Sequence, residues 1–339
     1  MKKSKLIAII VGLILVISGA VVAVVGLASM GFNFKSLALG KTVDSSYELT
    51  EDFSKINVET NTSDVHFIFT DGASKVEVKE LEKQTHNVSV SDGVLNITHE
   101  DQREWYDHIT LFTPNVYINV YLNKTEFENL AVETDTGDVN IEKAFSFSSV
   151  TVKTDTGDVA VLSGVKETLS ISVDTGEVIA SGITAKNATI DTHTGDVRIS
   201  SFTLEEQLKI TGTTGDVYAD SVNANSVSIE TDTGDITLSA LSVVENMSVK
   251  ATTGEVTLKD CIAKNIGIET DTGDVELYGC DAESLNIKTS TGDVEGVLLT
   301  EKTFITDTST GEVEVPRGTS GGRCEITTST GDIEISIKN

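Results

Sequence analysis

Over residues 126–339 apolar and polar positions alternate in twos, and the alternation restarts at a Thr-Gly pair every 19 or 20 residues. The glycines of the series are Gly137, Gly157, Gly176, Gly195, Gly215, Gly234, Gly254, Gly273, Gly292, Gly311 and Gly331. Seven and five residues before each stands a mostly aliphatic pair, such as Leu130 and Val132, Leu208 and Ile210, or Leu285 and Ile287. Two residues after each stands Val or Ile, and four after it a mostly apolar residue such as Ile141, Ile199 or Leu258. A period of two belongs to a strand with one buried face, and Val, Ile and Thr favour strand over helix. Each repeat is expected to form two short strands around a Thr-Gly turn, with a second bend near Asn, Ser or Gly.

One unit of this kind has too small an apolar set to bury itself, whereas stacked units turn each apolar column into a continuous interior. The expected fold is all-β: a right-handed parallel β-solenoid of about eleven coils, roughly 50 Å long at ~4.8 Å per coil. A β-propeller needs about 40 residues per blade, twice this period. The glycine is expected at positive φ, where a Cβ is costly.

Residues 47–125 are β-rich but off the period. Alternation recurs at 56–59, 65–68, 76–78, 88–90 and 95–97, and Asp92-Gly93 has the form of a hairpin turn. Thr60-Asn61-Thr62-Ser63-Asp64-Val65 is a degraded copy of the repeat, with Ser63 in place of glycine. This region is expected to supply the leading coils and a cap over their exposed strand edges. At the other end, Lys338 falls seven after Gly331, where a charge would protect the edge of the last coil.

The N-terminus has a different pattern. Lys2, Lys3 and Lys5 precede 23 uncharged residues that start at Leu6 and end at Ala28. That length suits a membrane-spanning helix and exceeds the 7–15-residue core of a signal peptide. The lysines favour a cytoplasmic start. The expected organisation is a tail and single-pass anchor in the cell membrane (1–30), a spacer (31–46), leading coils and cap (47–125) and the solenoid (126–339), with the bulk of the chain extracellular.

The net charge of −28 argues against nucleic acid as a partner, since nucleic-acid binding needs a basic footprint. Beyond the three N-terminal lysines stand 22 basic and 53 acidic residues, a net of −31 that attracts cations or basic partners.

Much of this charge lies in one column directly after the corner glycines: Asp138, Asp158, Glu177, Asp196, Asp216, Asp235, Glu255, Asp274, Asp293, Glu312 and Asp332. Stacked at ~4.8 Å, each neighbouring pair repels by roughly 1 kcal/mol in water. Either turn amides and hydroxyls offset this, or cations do. The column, with Asp135, Asp155, Asp174, Asp232 and Asp271 two before the glycine, is a candidate for weak cation binding. Ca²⁺ is the natural ion for oxygen ligands, but the Gly-Gly-x-Gly-x-Asp nonapeptide is absent. The Thr-x-Thr pattern, as in Thr134-Asp135-Thr136, is read as turn and interior ladders.

Cys261 and Cys280 both lie seven after a corner glycine and should stack on adjacent coils, close enough for a disulfide; buried thiols are the alternative. No Cys/His spacing typical of a metal site is present. His66, His86, His99, His108 and His193 are scattered, and no Gly-x-Ser-x-Gly, His-Glu-x-x-His or phosphate loop occurs. No catalytic residue or cofactor is assigned.

The recurring Thr-Gly-Asp-Val turns, the 118–122 strand and the 130–132 strand resemble the bacterial “putative adhesin” domain family, the LiaG-like β-solenoid proteins of the Gram-positive envelope. The resemblance spans residues 45–339. It implies a surface-exposed, membrane-anchored protein, sometimes linked to envelope-stress responses, and supplies no ligand or catalytic residue. The expected function is that of a non-enzymatic surface module, an acidic rod presenting flat faces to an envelope component or a membrane protein. The alternatives are a polysaccharide-acting solenoid enzyme and an envelope-stress sensor working with a partner. The segment around Trp105 and the C-terminal end break the repeat and are the candidate contact regions.

Overall fold

Every second side chain of each repeat enters one continuous aliphatic core, around which the chain closes coil by coil. The computed structural model describes residues 41–102, 115–318 and 320–338, together with Val16, Ile17, Ser18, Gly19, Val21, Val24, Val25 and Ala28. Those eight are helical, and no helix among the described residues is long and apolar enough to cross a membrane. Most of the 6–28 segment, and Trp105 with its neighbours, lie outside the described residues.

The fold is an all-β parallel solenoid. Successive coils pair in register, residue on equivalent residue: Val150 lies on Leu130 and Val152 on Val132, with Leu169 and Ile171 on the next level. The expected pair of strands flanks each Thr-Gly corner. A second corner follows, and a third face that the pattern had not revealed. Six residues after the glycine the backbone turns through a left-handed residue in six consecutive coils: Gly182, Ser201, Ser221, Ala240, Asp260 and Gly279, at φ of 50–73°. The next few residues, such as Phe202 and Leu204 or Val222 and Ala224, send their side chains into the core. A register shift then leads into the next coil, as between Thr203 and Gln207.

The N-terminal cap is built from β1 (Thr42–Glu48), β2 (Lys55–Thr60), β3 (Asp64–Phe69), β4 (Lys75–Leu81), β5 (Gln84–Ser91), β6 (Val94–Asp101) and β7 (Tyr117–Leu122). The first regular coil follows as β8 (Glu126–Thr136) and β9 (Val139–Ile141). β1 begins inside the stretch expected to be a spacer. On one face β8, β2 and β6 run parallel and β5 closes antiparallel. On another, β9, β3 and β7 run parallel, followed by β4 and β1 antiparallel. The β2–β3 coil thus lies between β6–β7 and β8–β9, second from the end although first in sequence. Phe53, Phe127 and Phe147 stack beneath it, with ring centroids 5.9 and 5.7 Å apart.

The far end also departs from the expected order. Strand Gly322–Thr330 pairs with Val275–Thr291 on one side and with Lys302–Thr310 on the other. The C-terminal coil is therefore inserted beneath the coil that precedes it in sequence. Lys338 does not guard an outer edge; its amide donates to Leu298 O and its side chain is exposed. The outermost coil is 302–315.

Candidate functional site

The Thr-Gly-Asp corner is the most regular feature of the surface, and its glycine is fixed by close approach as well as by φ. A Cβ on any corner glycine would lie 1.9–2.3 Å from a carbonyl oxygen of the neighbouring coil. That oxygen belongs to the adjacent corner glycine, except at Gly137, which meets Ser63 O. Each corner amide from Gly137 to Gly292, and that of Gly331, meanwhile donates to the Thr carbonyl of the next level, as Gly157 N does to Thr175 O at 2.9 Å.

The acidic column divides by side-chain length. Each aspartate turns one oxygen along the stack to accept the amide N–H of the acid on the next coil. Asp138 Oδ1 accepts from Asp158 N, Asp158 from Glu177, Asp196 from Asp216, Asp216 from Asp235 and Asp235 from Glu255, all at 2.8–3.0 Å. Asp274, Asp293 and Asp332 continue the ladder through the inserted coil to Glu312 N, and Asp64 starts it by accepting from Asp138 N. Each of these aspartate carboxylates thus meets an amide N–H of the next coil, a charge-assisted hydrogen bond that opposes the repulsion the sequence implied. A glutamate is one methylene too long for this geometry. Glu177 Oε1 takes Arg198 Nε at 2.6 Å instead, and Glu255 Oε1 accepts the Thr257 hydroxyl at 2.8 Å. Arg198 also bonds Asp196 and lies 4.2 Å over the Tyr218 ring. Among the described residues no group of three or more His, Cys, Asp or Glu side chains is placed to hold a metal ion.

The two threonines of Thr-x-Thr separate. The one three before the glycine is interior, as at Thr134, Thr154, Thr231 and Thr270, and the one directly before it is exposed. Near the far end, Thr289 and Thr328 donate to Gly273 O and Gly292 O.

Cys261 and Cys280 stand in one column on adjacent coils, both fully buried thiols. Cys261 Sγ donates to Lys259 O at 3.3 Å and Cys280 Sγ to Leu258 O at 3.4 Å. The contact between the sulfurs splits their acidities: it pushes Cys261 up, with burial adding, and holds Cys280 down. Burial raises the lone Cys324 to about 12.

A polar network in the cap was not visible in the sequence. His86 Nδ1 and its own amide both donate to Glu80 Oε2, at 2.9 and 2.6 Å, and the Thr60 hydroxyl lies 2.9 Å from Nε2. Thr60, Glu80 and His86 are 3%, 3% and 5% exposed, so the trio faces the interior and not a cleft. Burial lowers the His86 pKa against the opposing pull of Glu80. The available signal was Glu80 itself, the third inward position of a strand whose first two are Val76 and Val78.

At the far end Lys302, 2% exposed at its side chain, bonds Asp281 Oδ1 at 2.5 Å and Thr300 Oγ1 at 2.7 Å. The Thr300 hydroxyl also donates to Asp281 Oδ1, at 2.8 Å; burial tends to raise the Asp281 pKa, but the bonds from Lys302 and Thr300 outweigh it and hold the carboxyl below its usual value.

The family model described as Toastrack DUF4097 matches residues 53–242 and 221–339, the whole of the coiled region. The chain belongs to the Toastrack family. No match is found among curated proteins. Among solved structures, this Toastrack chain is similar to a “putative lipid binding protein” from Parabacteroides distasonis, at 15% identity over 74% of this chain and 98% of that one, with a TM-score of 0.44. It is also similar to a “putative adhesin” from Bacteroides fragilis, at 13% identity over 87% of this chain and 97% of that one, with a TM-score of 0.37. A further “putative adhesin”, from Parabacteroides merdae, has 11% identity over 76% of this chain and 97% of that one, with a TM-score of 0.36.

Proposed function

We propose that this Toastrack protein is a non-enzymatic surface module, held in the cell membrane by residues 6–28 and presenting an acidic β-solenoid to an envelope component or a partner membrane protein. The observation that carries this reading is the stack of corners, in which glycine meets glycine level by level and amides bond from coil to coil. Such a stack makes a stiff spacer with flat sides. Among the described residues, the side face over Gly267 carries a shallow depression of about 190 Å³, rimmed by Lys250, Glu269 and Lys288. The Thr60–His86–Glu80 trio has the residue types of a nucleophile, base and acid, but it is closed inside the cap, which supports a structural role. The surplus of acidic residues favours a cationic partner surface.

Cell fractionation with the full chain tests this directly. The chain is expected in the membrane fraction, with the solenoid digested when protease is added to intact cells. It is also expected to co-sediment with envelope fragments in a salt-sensitive manner. Recovery in the soluble fraction, protected from external protease, would overturn the reading.

A further inference from the structure

The inserted C-terminal coil occupies a slot built for it alone. Its floor is the Gly292 coil and its roof the Gly311 coil, each contributing a corner glycine, so the insert must bring a glycine to the same corner. It must also bring one nine residues earlier. That position is held elsewhere by residues such as Glu167, Lys186, Glu206, Asn225, Lys264 and Glu283, and in the terminal coil by Gly322. A Cβ on Gly322 would lie 2.5 Å from Glu283 O. Gly322 also pairs with Lys302, whose side chain crosses the insert to reach Asp281 on the far side. Among the coils of this chain, the 322–337 coil alone meets both requirements.

We propose that this slot is an interaction site for a second copy of the chain, by exchange of the 322–337 coil. An exchanged coil makes the same strand pairings, glycine contacts and Lys302 clamp as in the monomer, so the slot itself loses no contact on exchange. The Lys302–Asp281 bridge across the insert is the latch that slows it. The site lies at the end opposite the N-terminal cap, and the proposal stands whether or not residues 6–28 form an anchor.

The test uses full-length chains. Asn286 and Glu325 are in-register neighbours on the outer face of floor and insert. Chains carrying only Asn286→Cys are mixed with chains carrying only Glu325→Cys, warmed below the unfolding midpoint, cooled and treated with a short dithiol cross-linker. Exchange predicts a cross-linked dimer, with a yield that rises several-fold when Lys302→Met is added to both chains. A control mixture pairing Asn286→Cys with Glu230→Cys should give none. If the Asn286→Cys/Glu325→Cys double variant links within one chain while the mixed single variants do not link even with Lys302→Met, the coil is held permanently in its own chain and the proposal fails. It also fails if an Asn286→Cys/Ile305→Cys variant links in place of Asn286→Cys/Glu325→Cys, because the coils would then stack in sequence order.

Discussion

The two ends of the solenoid solve the same problem by different means. A stack of like coils has no intrinsic stop, and its last coil leaves strand edges and core side chains uncovered. At the N-terminal end the chain reverses strand direction: β4 and β5 run antiparallel over the outermost parallel coil, around the buried Glu80–His86–Thr60 network. At the C-terminal end it reverses coil order and leaves a parallel coil outermost, with Val313, in a column buried in the inner coils, 45% exposed. Yet in both cases the coil nearest the chain terminus is second from the outside and has strand partners on both sides. An antiparallel layer is added only at the N-terminal end, whereas the chain's own terminal coil is clamped at both.

The sharpest way to break this comparison is to strike the inserted coil and its roof separately. Gly331→Ala puts a Cβ 2.0 Å from Gly292 O in the middle of a paired stack and should cost about 3–5 kcal/mol in urea unfolding. Gly311→Ala strains the outermost coil, which can detach alone; it should cost about 1 kcal/mol and show mainly as faster amide exchange over 302–315. Coils stacked in sequence order would reverse that ranking. At the other end, His86→Ala leaves Glu80 and Thr60 buried without their partner and should cost about 2–3 kcal/mol, with faster exchange in β4 to β6.

Acid should then weaken the two ends in turn. The His86 pKa is lowered on folding, so the unfolded chain binds that proton first, and N-terminal stability should fall as pH drops below about 6.5 toward the folded value. The Asp281 pKa is also lowered, from 3.8, so the C-terminal clamp should hold through that window and weaken only below pH 3.8. Exchange rates read residue by residue against pH check the order. The smallest expected effect is the control for both ends. Ala240→Gly relieves a left-handed residue at φ 55° in a central coil and, after the entropy cost of glycine, should add about 0.5 kcal/mol while leaving the difference between the ends unchanged.

What the sequence revealed follows from the period. The corner glycines repeat without interruption and the columns through Leu130, Val132, Val139 and Ile141 nearly so, and strand pairing in register preserves that pattern. The third face was hidden because its corner is held by Ser201, Ser221, Ala240 and Asp260 as readily as by glycine, and because a register shift follows. The coil order at the far end was hidden because Gly311 and Gly331 carry the same corner, so either fits on Gly292; only Gly322 and Lys302 tell them apart. The acidic column was legible as a set of charges. Its chemistry depended on the single methylene that separates Asp158 from Glu177.

The strand β1 carries a mechanical consequence. All strands lie across the stacking axis, so a pull between residue 41 and the far tip loads the hydrogen bonds between levels in line and in series. Among the described strands β1 pairs with β4 alone, from Thr42 opposite Leu81 to Glu48 opposite Lys75, with Tyr47 Oη adding a bond to His86 O, and it is the strand through which such a load enters. It would peel from one end, pair by pair, before any deeper level parted, acting as a low-force fuse and leaving the rod intact.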